Sequence, residues 1–234
     1  DSGQFLYVEP DYLKSIDIAP NDSKYVDGTL WGLLNAGQDG GRAGVDVGAL
    51  PAWQISTGST NVVVAIIDTG IRYTHFDLRD QMWINEGETG TDSLGRDKRT
   101  NGVYDDGNGV TDDVYGFNAV LGSGDPFDDN GHGSHVSGTI GAAANNGYSH
   151  VGVNWHVRLM GVKVARANGT LLTGDVLDGI NYAVQMGAKV SNNSYGGPTY
   201  SIAENDVILQ AGVQGHLFIA AAGNDNKNND LIPS

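Results

Sequence analysis

Three polar residues stand where their side chains could do chemistry. Asp68 closes the β-branched run Asn61–Asp68 (NVVVAIID) and is followed by Thr69 and Gly70, so its carboxylate lies at the edge of a core with a turn to hold it. His132 stands between Gly131 and Gly133 at the start of a small-residue helix pattern. Flanking glycines let backbone or substrate come close to the ring. Asn224 follows the apolar run 216–222, where a side-chain amide could donate to an oxyanion. Each residue also has a plainer reading: a strand-capping Asp, a structural His, an Asn in a turn. His132 and His135 are three apart and share a helix face, which suggests a metal pair, but no helical Glu accompanies them. Hydrolysis by paired aspartates needs two carboxylates sharing a proton, and Asp-Thr-Gly occurs once.

The elements that must position these residues follow from the pattern. Asn61–Asp68 reads as a strand buried on both faces. Residues 157–165, 189–191 and 216–222 read as further strands. Helices are expected over residues 132–144, over 174–186 with Leu177, Ile180 and Val184 on one stripe, and over 201–214 with Ile202, Val207 and Ala211 on another. Gly187 and Gly215 supply the helix stops. Strand alternating with helix predicts an α/β fold, a mostly parallel central sheet flanked by helices, with its site at the C-terminal ends of the strands. The polar stretch 86–131 is too long for a passive connection and suggests a functional loop or an ion site. Residues 1–30 hold one short apolar run, Phe5–Val8, and read as an appendage.

Composition sets the limits. The 234 residues suffice for one domain with a real core. Cysteine is absent, which excludes disulfides, a thiol nucleophile and thiolate metal sites. The net charge of −15 argues against nucleic acid or an anionic membrane as partner. No run approaches the ~20 apolar residues of a membrane span. Asp outnumbers Glu 24 to 4, and Asp is a turn residue and a calcium ligand. The densest cluster, Tyr104–Asp113 (YDDGNGVTDD), alternates oxygen side chains with glycines but lacks the twelfth-position Glu of an EF-hand.

Taken together, the motifs resemble those of the subtilisin-like serine proteases, the subtilases. IIDTGIRYTHFDL is similar to the family's catalytic Asp segment. DDNGHGSHVSGTIGA is similar to its His segment, with Ser134 in place of the usual Thr. NNSYGGP is similar to its substrate-binding strand, and FIAAAGND to its oxyanion segment. The resemblance runs in the family's order from about Asn21 onward and implies a subtilisin-like fold. It implies that Asp68 orients His132, that His132 is the general base, and that Asn224 donates to the tetrahedral oxyanion. By the same resemblance Ser194, Tyr195 and Gly196 pair with a polypeptide substrate as an added strand, while Ala221 and Gly223 line the pocket before the scissile bond. The family's Gly-Thr-Ser nucleophile segment does not occur. The expected reading is therefore a catalytic domain over 21–234 that stops before its Ser, inactive alone. Residues 1–20, with FLYVEPDY, resemble the closing end of an inhibitory pro-segment, which would make that segment a partner as well.

Calcium is the cofactor that the resemblance implies. One site would join Asp22, Asp77 and the loop 143–151, with Asn146 as side-chain ligand and Ala143, Tyr148 and His150 as backbone ligands. The second would use Asp105, Asp106, Asn108, Asp112 and Asp113. The expectation is a secreted, calcium-stabilised serine endopeptidase made as a zymogen. An inactive peptide-binding module using the same groove is the alternative. A half of an aspartic protease would leave the His segment unexplained.

Overall fold

The β-branched run forms the middle strand of the sheet. In a computed structural model describing residues 18–197, 199–224, 226 and 228, strand β1 spans Gly58–Asp68. Only its second half is buried, and Ala65, Ile66 and Ile67 have no exposure at all. Its neighbours are β3 (His156–Lys163) and β4 (Val190–Asn193), with β2 (Gly116–Asn118) and β5 (Leu217–Ala220) outside them. The order is β2-β3-β1-β4-β5 and every pairing is parallel. This is the expected α/β sheet. Strand β2 was not legible: three residues inside a polar loop carry no period. It reaches the sheet because Gly116, at φ 132, approaches Gly161 so closely that a Cβ would lie 1.8 Å from its carbonyl oxygen.

Register fixes what lies together at the C-terminal ends. Asp68 pairs with Lys163, Lys163 with Asn118, Ile67 with Asn193, and Asn193 with Ala220. Ala221 continues the ladder through its N–H to Asn193 O at 3.1 Å.

Helix α3 (His132–Gly141) packs against one sheet face beside Ile66, Ile71 and Leu159. It ends earlier than the pattern predicts, where Ala142 leaves the helical conformation and its carbonyl accepts from Gly152. Helix α4 (Thr173–Gln185) covers the other face with α5 (Ile202–Val213). On α4 Ile180 is fully buried, while Val176, Tyr182 and Ala183 widen the face beyond the expected stripe. On α5 Ala211 is buried, but Ile202 is 70% exposed in the first turn, so the expected stripe fails there. Short helices α1 (Ser23–Val26) and α2 (Ala49–Trp53) build a satellite core in which Tyr25 and Trp53 meet Trp155. The pro-segment reading falls almost wholly on residues 1–17, outside the described residues.

Candidate active site and acidic clusters

Asp68 is 4% exposed at the end of β1, and its Oδ1 accepts from the N–H of Thr69 at 2.7 Å. Gly70, at φ 107, then turns the chain, and Ile71 N–H bonds Pro126 O. This brings the segment 126–132 over the strand end. His132 opens α3 with Nδ1 at 2.8 and 2.9 Å from the two carboxylate oxygens of Asp68. A carboxylate on Nδ1 makes that nitrogen the donor and leaves Nε2 as the free base position. The imidazole is half exposed while its partner is buried. Among the described residues no hydroxyl bonds Nε2.

Asp128 holds this pair in place, and sequence reasoning passed over it. Its Oδ1 accepts from Thr69 Oγ1 and from the N–H groups of Asn130 and Gly131, each at 2.9 Å. Its Oδ2 accepts from the N–H and hydroxyl of Ser134 at 3.0 and 2.5 Å. Thr69 Oγ1 in turn accepts from Gly133 N–H. One buried carboxylate therefore ties the end of β1 to the first turn of α3, where a helix favours an anion. Burial alone would raise its pKa, but these donors outweigh burial and hold it below the ordinary carboxylate value. The spacing Asp128-x-x-x-x-x-Ser134 before a helix is the signal that could have flagged it. Buried Lys163 adds a second tie, donating to Thr69 O at 2.8 Å and Asp129 Oδ1 at 2.6 Å.

Asp68 and His132 open into a cleft of ≈ 330 Å³ that Ser194, Tyr195 and Gly196 also line. Asn130, Ala165, Gly169 and Leu171 complete it and were not singled out in sequence. Asn168-Gly169, a turn dipeptide between Ala165 and its bridge partner Leu171, was the available signal. Burial, then Glu204 and Asp68, push the Tyr195 phenol up, so it stays a protonated donor. Ala221, Gly223 and Asn224 follow β5, exposed, and are not part of the cleft lining. His135 is exposed and belongs to no metal-competent group among the described residues.

The first acidic set does come together. Asp22 and Asp77 are 0% and 2% exposed. Asp22 accepts from the N–H groups of Asn145 and Asn146 at 2.8 and 3.4 Å. Asp77 accepts from Asn146 Nδ2 at 3.0 Å and His150 N–H at 3.3 Å. Tyr148 O accepts from Ser23 N–H, and Ala143 N–H donates to Asp77 O. The second set is rearranged. Asp106 and Asp113 converge with Glu88, which sequence reasoning missed, so that one ligand oxygen from each lies within 4.8 Å of the others. Asn108 donates to both Asp106 and Asp113. Asp105 instead accepts from Asn101, and Asp112 from Gly102 N–H. Glu88 is fully buried, and its Oε2 has no hydrogen-bond partner among the described residues. Burial raises the pKa of Glu88 and of Asp113.

A parallel α/β sheet thus carries a carboxylate–imidazole pair at its strand ends, facing an open cleft. The profile of the Subtilase family matches residues 59–233, and the chain belongs to that family. Subtilisin-like protease 1 of Plasmodium vivax is 41% identical over 161 residues, 69% of this chain and 24% of that protein. The thermophilic serine proteinase of Bacillus sp. (strain AK1) is 29% identical over 228 residues, 97% of this chain and 46% of that protein. A cold-adapted subtilisin-like serine proteinase of known crystal structure aligns with TM-score 0.49 and 26% identity over 71% of this chain and 48% of that one. The chain thus spans from a quarter to about half the length of these relatives.

Proposed function

We propose that the whole protein is a serine endopeptidase in which Asp68 and His132 are two members of the triad. The observation that carries this is the bond of His132 Nδ1 to a buried carboxylate, with the imidazole opening into a cleft shared with Ser194–Gly196. In this reading His132 Nε2 takes the proton of a serine hydroxyl as that oxygen attacks a peptide carbonyl, and later returns it to the leaving amine. Asp68 stabilises the imidazolium without taking the proton. Asn224 donates to the oxyanion, and Ala221 and Gly223 flank the residue before the scissile bond. The serine is assigned to a part of the protein beyond this sequence. Peptide hydrolysis by the full-length protein, with stoichiometric acylation by a serine-directed phosphonate, tests the reading. Peptide binding without acylation would favour the inactive module, which the free Nε2 position also allows.

Calcium fits both acidic sets. Asp22 and Asp77 are buried carboxylates that no cationic side chain reaches among the described residues. Glu88 Oε2 is a buried oxygen to which no group of the described residues donates. Isolated buried carboxylates are costly, and a hard cation with oxygen ligands relieves that cost. Asp22, Asp77, Asn146 and the carbonyls of Ala143, Tyr148 and His150 would hold one ion. Glu88, Asp106 and Asp113 would hold another. A bound ion supplies charge neutralisation and a cross-link, with no part in bond cleavage. No helix of the described residues is long and apolar enough to cross a membrane. Secretion and maturation from a pro-segment complete the proposal and rest on the family.

A further inference from the structure

A central parallel strand is normally apolar on both faces, yet β4 reads Val-Ser-Asn-Asn, with Ser191 and Asn193 at 0% and 1% exposure. Buried polar groups of this kind need partners. Theirs form one continuous chain. Tyr195 hydroxyl donates to Asn193 Oδ1 at 3.0 Å. Asn193 Nδ2 donates to Ser191 Oγ at 2.9 Å. Ser191 Oγ lies 2.9 Å from Nε2 of His216, itself 6% exposed at the entry to β5. His216 Nδ1 lies 2.8 Å from Ala188 O.

With the His216 imidazole neutral, the directions of these bonds follow from the chemistry of the groups. A carbonyl only accepts, so His216 Nδ1 carries the proton and Nε2 accepts from Ser191. Ser191 then uses its lone pairs for the Asn193 amide, which turns Asn193 Oδ1 toward Tyr195. All four donors point the same way along the strand, an arrangement in which each bond polarises the next. The chain ends on Tyr195, a residue of the cleft lining beside His132 that also packs on the core.

We infer that Asn193, Ser191 and His216 are positioning residues that hold Tyr195 from beneath the sheet and so set how sharply the cleft discriminates peptide side chains. The inference rests on reading the cleft as a peptide site. A tethered ring keeps its shape against a bulky guest, so the cleft discriminates peptide side chains by size. An untethered ring yields to them.

The test uses peptide binding by the full-length protein inactivated by His132→Ala, so that it does not depend on turnover. The probes are acetylated tetrapeptide amides carrying Ala or Phe at each position in turn. Dissociation constants come from calorimetry well below the melting temperature. At the most discriminating position, Ser191→Ala and Tyr195→Phe should each reduce the Ala-over-Phe preference by roughly threefold or more, and the double variant no further, as coupled residues behave. A purely structural network would lower the melting temperature, weaken both peptides alike and give additive effects, and that result would overturn the inference. So would failure of every peptide to bind. Nitrogen-15 spectra of the unmutated protein supply a second check. His216 should be the Nδ1–H tautomer, and an Nε2–H tautomer would contradict the whole chain of bonds. Hydrolysis by the His132-intact protein is scored separately. Its absence, with peptide selectivity intact, would sink the protease reading and leave this inference standing.

Discussion

Asp128 makes the residue-scale case that a side chain can matter to an acid–base pair without touching it. Its five donors come from both sides of the junction between β1 and α3. Because its folded-state pKa is depressed, its contribution to stability is fully present above about pH 4, the unfolded carboxylate value, and is lost as pH falls through the folded value. Asp128→Asn should therefore destabilise by about 1–3 kcal/mol at pH 7. Its deficit against wild type should narrow below pH 4. Denaturant melts across pH 2–7 read both, and a deficit independent of pH would contradict the assignment. In the active full-length protein Asn224→Ala should lower kcat by about 10²–10³ with KM little changed, the usual loss of one oxyanion donor. An unchanged kcat in steady-state assays would remove Asn224 from the proposed mechanism.

At the scale of elements, close approach between β1 and α3 sets the geometry. A Cβ on Gly133 would fall 2.2 Å from Gly70 O and 3.2 Å from the Asp68 side chain, so α3 can seat against the strand end only with glycine there. At Gly138, in the same helix, no atom of the described residues would lie within 4 Å of an added Cβ. Gly133→Ala should cost about 1–3 kcal/mol by overpacking. It should also reduce kcat/KM by up to about 10²-fold through displacement of His132. Gly138→Ala should stabilise slightly, by up to about 1 kcal/mol, because a helical glycine is replaced where space is free. Thermal melts and kinetics of the two variants decide this, and equal effects would refute the packing argument. These elements also show what a sequence reveals. Strand β1 was legible because burial on both faces demands an unbroken apolar run, and α4 because one face must be apolar. Asp68 and His132 were legible because each sits at the end of such an element. Strand β2 and Glu88 were not: a three-residue edge strand has no period, and a lone Glu in an acidic loop acquires meaning only when folding buries it opposite Asp106 and Asp113. The stripe on α5 misled at Ile202 because a helix terminus can project past the surface it packs on.

Across the whole molecule, the proposed ions join segments far apart in sequence. Asp22 and Asp77 bring the N-terminal segment and the chain after β1 to the loop 143–150. Asp113 fastens the long acidic loop to α4, where Tyr182 donates to it at 2.5 Å, and Glu88 accepts from the N–H groups of Asp105 and Asp106 within that loop. Calcium at 100 times its Kd should add about 2.7 kcal/mol for each independent site. Chelation should therefore lower the melting temperature. Asp77→Asn and Glu88→Gln should each remove part of that response and leave the rest. Identical melting curves with calcium and with chelator would remove both sites.

The central claim is that Asp68 and His132 form the acid–base part of a serine endopeptidase. Its most direct test is kcat/KM for peptide hydrolysis by the full-length protein and its His132→Ala variant, alongside the stoichiometry of phosphonate labelling. The wild type should hydrolyse peptide with one serine labelled per molecule. The variant should lose several powers of ten in kcat/KM, because base and nucleophile act as a unit. Hydrolysis that survives His132→Ala undiminished, or that proceeds with no serine labelled, would contradict it.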